Sequence, residues 1–226
     1  MLTADFFLPV SDELIEEAVS HFPNCLGNAT IFNSSSGFPE LPSSGIAILS
    51  IGDYRLSATD GAMDISKSFR QRLYRLHKHE HPITTVDLGA LRPGSTPDDT
   101  RFALSEIVRD LIVAGMMPVV IGGSQDLTLA LHEAYRPFGK LMNITSIDSR
   151  FDLGSPDSNL SSKAWLGKIV LQQPTYLFNF SNIGYQTYFN SQNEIDLLDG
   201  LFFEAYRLGE VSSAIQLVEP VLRDAD

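Results

Sequence analysis

Short apolar runs alternate with amphipathic stretches along most of this chain. Residues 45–51, 83–88, 118–121 and 141–147 are segments of strand length rich in apolar and β-branched residues, as expected of largely buried strands. Ile65, Phe69, Leu73 and Leu76 recur at helical spacing between the first two. Thr96, followed by Pro97, Asp98 and Asp99, offers an N-cap, a proline at the first helical position and carboxylates at the positive end of the dipole. That predicts a helix running to about Gly115, and residues 126–135 have the pattern of another. Upstream, 11–21 reads as a short acidic helix capped by Ser11 or Asp12. Residues 24–44, rich in Asn, Ser, Gly and Pro, read as a long surface loop. Towards the C-terminus, strands are expected at 175–180 and 201–205 with a helix near 192–198 between them. Ala214, Leu217, Val218, Val221 and Leu222 then mark a final amphipathic helix that Pro220 should kink or shorten.

The alternation predicts an α/β fold of three layers, a mostly parallel sheet with helices on both faces. Residues 1–44 form a helix-and-loop extension in this reading, and 45–226 the α/β domain. Ligands of such a sheet bind at the carboxyl ends of its strands, so the loops after Ile51, Leu88, Ile121 and Ile147 are where chemistry is expected.

A formal net charge of −12 disfavours a nucleic-acid partner, since such a chain repels polyphosphate backbones. Cys25 is the only cysteine, which excludes a disulfide framework and a thiolate metal cluster and makes a reducing cytoplasm the expected compartment. The first ten residues lack the pattern of a secretory leader, and no apolar run reaches the roughly 20 residues of a membrane span.

The run 141–147 opens onto Asp148-Ser149-Arg150-Phe151-Asp152. If the chain stays extended, the period of two puts Asp148, Arg150 and Asp152 on one side and Phe151 on the other. Two carboxylates with a guanidinium between them are either a cation or ligand site at a strand end or a structural Asp-Arg network, and both readings stand. Gly122-Gly123-Ser124-Gln125-Asp126 follows the strand at 118–121. Its glycines could let backbone approach a ligand with Gln125 or Asp126 facing it, or could form a tight turn whose Asp126 caps the next helix. It lacks the spacing of a dinucleotide fingerprint and the Gly-Lys-Ser/Thr of a P-loop. His77-Lys78-His79-Glu80-His81 reads as a solvated helix end before Pro82, because alternate helical residues do not share a face. His132 reads as a surface or satisfied core residue, and Trp165, Tyr176, Phe178 and Phe180 as core or loop anchors.

Taken together these segments resemble the ureohydrolase family: arginases, agmatinases and, most closely, formimidoylglutamases. The resemblance runs from about Gly45 to Asp226. The family's strand-end motif is Asp-Ala-His-x-Asp, commonly Asp-Ala-His-Phe-Asp-Leu in formimidoylglutamases, and here it reads Asp148-Ser149-Arg150-Phe151-Asp152-Leu153. An earlier family strand ends in Gly-Gly followed by a metal-binding histidine, where this chain has Gly122-Gly123-Ser124-Gln125. Leu73-Tyr74-Arg75-Leu76, Asp87-Leu88-Gly89 and Asn182-Ile183-Gly184-Tyr185-Gln186 also look like their counterparts.

The resemblance implies two manganese ions, held by two histidines and four aspartates, and a bridging hydroxide that attacks a guanidinium or formimino carbon. Both histidine positions differ here, at Gln125 and Arg150, and the last two aspartates belong to a Ser-x-Asp-x-Asp motif beyond Asp226. Asp148 and Asp152 are then vestigial metal ligands, with Ser124 and Asp126 as possible neighbours. The expectation is a chain without cofactor or activity, in which Arg150 sits between the two carboxylates in place of one manganese. The resemblance also implies an eight-stranded sheet whose last two strands lie in its middle. A chain ending at Asp226 should close that gap by direct pairing of the flanking strands or with a neighbouring molecule, as a homo-oligomer or by strand exchange. Two other readings remain: an active hydrolase of a formimino or guanidino substrate, taking formimidoylglutamate to glutamate and formamide, and a domain binding a small anion through Gly122-Gly123 and Arg150.

Overall fold

The computed structural model describes residues 2–21, 23–57, 65–80 and 83–223. The chain forms two compact units, Met1–Ala134 and Tyr135–Asp226.

The first unit runs β1 (Phe7–Leu8), α1 (Asp12–His21), α2 (Leu26–Ala29), β2 (Thr30–Phe32), β3 (Gly45–Ile51), α3 (Ser66–Leu73), β4 (Thr85–Leu91), α4 (Pro97–Val113), β5 (Met116–Gly122) and α5 (Thr128–Tyr135). β3 lies between β4 and β5 and is parallel to both, with Ile46 opposite Thr85 and Met117. The far edge of β4 is shared by β2, parallel, and β1, antiparallel. The apolar run of β3 buries Ala47, Leu49 and Ile51, and β4 adds Val86, Leu88 and Leu91. Against them α4 presents Leu104, Ile107, Val108 and Leu111, an i, i+3, i+4, i+7 stripe whose members each contribute roughly 1.5–3 kcal/mol on burial. α4 starts where expected. Thr96 Oγ1 accepts from the Asp99 amide at 3.1 Å, and Asp99 Oδ2 accepts the Thr96 amide at 2.9 Å.

Two expectations are corrected here. Residues 24–44 are not merely a loop, because Thr30-Ile31-Phe32, a β-branched and aromatic triplet hidden among turn-forming neighbours, joins the sheet as β2. With β1 it makes the segment before Gly45 part of the same sheet rather than an extension to it. The helix expected to run to the histidines stops at Leu73, and the backbone beyond it is bonded elsewhere: Leu26 and Lys78 donate to the carbonyls of Leu76 and Asn24 at 2.7 and 3.2 Å. His77 forms an isolated antiparallel bridge with Cys25, so it is not a helix end; His81 and Pro82 lie outside the described residues.

The second unit runs β6 (Met142–Ile147), α6 (Trp165–Val170), β7 (Leu177–Tyr185), α7 (Gln192–Gly200), β8 (Glu204–Arg207), α8 (Leu208–Ser213) and α9 (Glu219–Arg223). Its sheet, β6-β7-β8, is parallel throughout. Ile183 of β7 packs with Val211, Val218 and Val221 from the C-terminal helices. The expected final helix over 214–222 is instead a 3-10 turn, Ile215–Val218, followed by the short α9, and Pro220 does not break it because it sits in the first turn of α9, where no intrahelical N–H bond is lost.

Among the described residues β5 pairs only with β3 and β6 only with β7. No helix among the described residues is long and apolar enough to cross a membrane.

Candidate functional site

In the second unit the ladder between β6 and β7 ends with Ile147 opposite Ile183, and the Asp148 amide donates to the Ile183 carbonyl at 3.1 Å. There the chain turns. Asp148 Oδ1 accepts the Arg150 amide at 3.0 Å, a side chain closing a turn over its own backbone two residues on. Past the turn Phe151 is buried, its ring 4.9 Å from that of Tyr185, and Asp152 adopts a left-handed backbone with φ 56°.

The expected alignment of Asp148, Arg150 and Asp152 along one side of an extended chain is thus overturned, because the aspartate-closed turn ends the period of two at Ile147. The guanidinium follows a different course as well. Arg150 Nη1 donates to the Phe189 carbonyl at 2.8 Å, and its Cζ lies 4.5 Å from the centre of the Phe189 ring. The head is stacked on an aromatic face instead of seated between two carboxylates.

Asp152 is 5% exposed and its Oδ2 accepts the Trp165 indole N–H at 3.1 Å. Burial pushes its carboxyl up to about 6; the indole bond opposes this, the Asp148 charge adds to it and Arg150 offsets part. Trp165 is buried, an anchor as expected, and α6 begins on it.

In the first unit the neighbours β3 and β5 are not consecutive in the chain, and the loops after them meet. This is the kind of switch point at which a doubly wound sheet can take a ligand. Gly122 has φ 82°, and a Cβ there would lie 2.8 Å from the Ile51 carbonyl, so the close approach needs glycine. The Ser124 amide donates to the Asp53 carbonyl at 3.1 Å, and the Ser124 hydroxyl donates to Asp126 Oδ1. Asp126 is buried, which raises its carboxyl above the usual range against the Ser124 bond. Its carboxylate faces Ser124 within this loop, while Gln125 opens a 3-10 turn and is exposed.

Asp53 is gripped by Arg55, with Nε to Oδ1 at 3.0 Å and Nη2 to Oδ2 at 2.6 Å, and these bonds hold its carboxyl below the usual range against its burial. The same guanidinium reaches the Ser95 and Gly94 carbonyls at 2.9 and 3.1 Å and Thr100 Oγ1 at 3.0 Å, tying the loop after β3 to the one before α4.

Deeper in the same unit, Arg70 of α3 grips Asp87 of β4 through Nε and Nη2 at 2.8 and 2.9 Å, with side-chain exposures of 5% and 0%. Ser50 Oγ accepts from Arg70 Nη1 at 2.9 Å, and the Tyr74 hydroxyl donates to Asp87 Oδ2 at 2.6 Å. Two segments read separately in the sequence, Leu73-Tyr74 and Asp87-Leu88-Gly89, are joined by this network. The sequence reading missed Asp53, Arg55 and Arg70; Asp53 and Arg55 stand two residues apart and carried a local sign, whereas the partner of Arg70 lies 17 residues away. Ser124, Gln125 and Asp126 belong to the first unit, and Asp148, Arg150 and Asp152 to one turn of the second.

The model of the Arginase family matches residues 44–224. A formimidoylglutamase of Hahella chejuensis is 27% identical over 155 residues, covering 65% of this chain and 46% of the relative, so the chain spans about half the length of the curated relative it matches. Trypanosoma cruzi formiminoglutamase, solved with Mn2+2, superposes with a TM-score of 0.66 at 19% identity, over 83% of this chain and 68% of that one. Formimidoylglutamase from Bacillus subtilis superposes with a TM-score of 0.70 at 13% identity, over 83% and 63%. These likenesses show an arginase-like α/β fold with a mostly parallel sheet.

Proposed function

The chain belongs to the arginase family, and from that premise we propose a formimidoylglutamase-like protein whose dimanganese site is degenerate at the positions carried here and which, as this chain, does not hydrolyse. The Hahella chejuensis relative and the two formimidoylglutamase-type folds support the branch of the family. The observation that carries the rest is Arg150. Its guanidinium has no lone pair to give a metal and is held by the ring and carbonyl of Phe189.

The remaining donors fit a pair of manganese ions poorly. Asp152 is buried against the Trp165 indole, where burial already disfavours its anion, and Gln125 offers at most a neutral oxygen. A divalent ion 4 Å from a fixed guanidinium would also face repulsion of about 8 kcal/mol at an effective dielectric near 20. We therefore derive no catalytic step through a metal and assign Asp148 and Asp152 vestigial ligand positions. A role in binding, regulation or assembly follows. The single cysteine, buried Cys25, suits a reducing cytoplasm, and the outer edges of β5 and β6 suit association with a second copy or strand exchange.

Formamide release from formimidoylglutamate in the presence of Mn(II) tests this. The chain itself should release none, and the double variant Gln125→His, Arg150→His should bind Mn(II) more tightly than the parent. Turnover by the parent would overturn the proposal in favour of a working hydrolase. Sulfate or phosphate held on Arg150 would favour anion binding instead.

A further inference from the structure

The Asp148 amide makes the last backbone bond to β7, so the backbone of the turn beyond it must find other partners. It finds most of them on the segment that follows β7. The Ser149 carbonyl accepts from the Gln186 amide at 3.0 Å and from Asn190 Nδ2 at 2.9 Å. The Phe151 amide donates to Asn190 Oδ1 at 2.9 Å, and Asn190 Nδ2 also donates to the Gln186 carbonyl at 2.8 Å. The Arg150 carbonyl accepts from Asn182 Nδ2 at 3.1 Å, and its guanidinium lies on Phe189.

One buried amide, Asn190, thus serves both strands of this contact, with both donors and its acceptor engaged. Its own position is fixed by the start of α7, where Ser191 and Glu194 form a capping box.

We infer that Asn190 is the positioning residue of the Asp148–Asp152 turn, clamping it to residues 186–190 through paired donation and acceptance. The inference rests on the reading above that this turn is not held by metal. Only an amide can do the work. Alanine removes all three bonds, and aspartate, of the same shape, keeps the acceptor for Phe151 but points a carboxylate at two carbonyl oxygens.

Amide hydrogen exchange of the chain, read by mass spectrometry on a peptide covering 148–152, is the test. All samples contain EDTA, with peptides from β3 and α7 as internal references. Asn190→Ala should speed exchange in the turn by about tenfold or more while both references hold, since each lost bond contributes about 1 kcal/mol. Asn190→Asp should do no better than alanine. Wild-type protection in the aspartate variant would mean that shape alone matters and would overturn the inference, as would acceleration spread equally over α7. A separate wild-type sample with Mn(II) keeps the two claims distinct. Slower exchange of the turn there would sink the metal-free reading, whereas the clamp stands or falls on the variants in EDTA.

Discussion

Asp152→Asn isolates the electrostatic cost of the buried carboxylate without changing its shape. In the folded chain the carboxyl is raised from 3.8 to about 6, chiefly by burial. A raised folded value means that the native state holds its proton more tightly than the unfolded chain does. The contribution to stability is therefore present in full below about pH 4 and is lost as pH rises through about 6. Two pKa units amount to about 3 kcal/mol as an upper figure. Asparagine keeps an acceptor for the Trp165 indole and tolerates a φ of 56° at least as well as aspartate.

The variant should thus be more stable than the parent by about 1–3 kcal/mol at pH 8, with the difference shrinking as pH falls and approaching zero only below about pH 4. Trp165 is the only tryptophan and bonds the residue changed, so urea denaturation followed by its emission reports directly on this unit. A variant less stable than the parent at pH 8, or a difference independent of pH, would refute the reasoning.

Other consequences are as direct. Arg70→Met removes one partner of a fully buried ion pair and leaves Asp87 with Tyr74 and the Gly89 amide; a loss of about 3–5 kcal/mol is expected in guanidinium denaturation followed by far-UV circular dichroism. Thr96→Ala breaks the capping box of α4 and should cost about 1 kcal/mol in the same assay. Gly122→Ala should destabilise the first unit by more than that, because it combines a positive φ with a 2.8 Å contact to the Ile51 carbonyl; a neutral result would remove the case for close approach after β5. Light scattering should find a species larger than the 24.9 kDa monomer if open strand edges drive self-association, and a pure monomer would count against it.

How far the sequence could be read depended on how local each determinant was. β3 and α4 were legible because a continuous apolar run and a reciprocal cap are short-range patterns. β2 was not, because three strand residues embedded among Asn, Ser and Gly make no periodic pattern and depend on β4 for their bonds. At the candidate site the strand ends at Ile147 as expected, while the course of the chain beyond it does not follow the expectation. An extended continuation assumed that nothing local competed with the strand, but Asp148 takes the Arg150 amide. The course of the Arg150 head depends on Phe189, distant in sequence, as the turn depends on Asn190. The buried grip of Arg70 on Asp87 was likewise non-local, and a charged residue within an amphipathic helix looks the same in sequence whether it faces water or a strand.

In the proposed reading the Asp148–Asp152 turn of this arginase-family chain does not hold a metal ion. Titration of the chain with Mn(II), following the free-ion signal by electron paramagnetic resonance, tests it most directly. The signal should rise in proportion to added metal, as in buffer alone, and Arg150→His should depress it. Stoichiometric loss of the signal in the unaltered chain, at one or two ions per molecule, would contradict it.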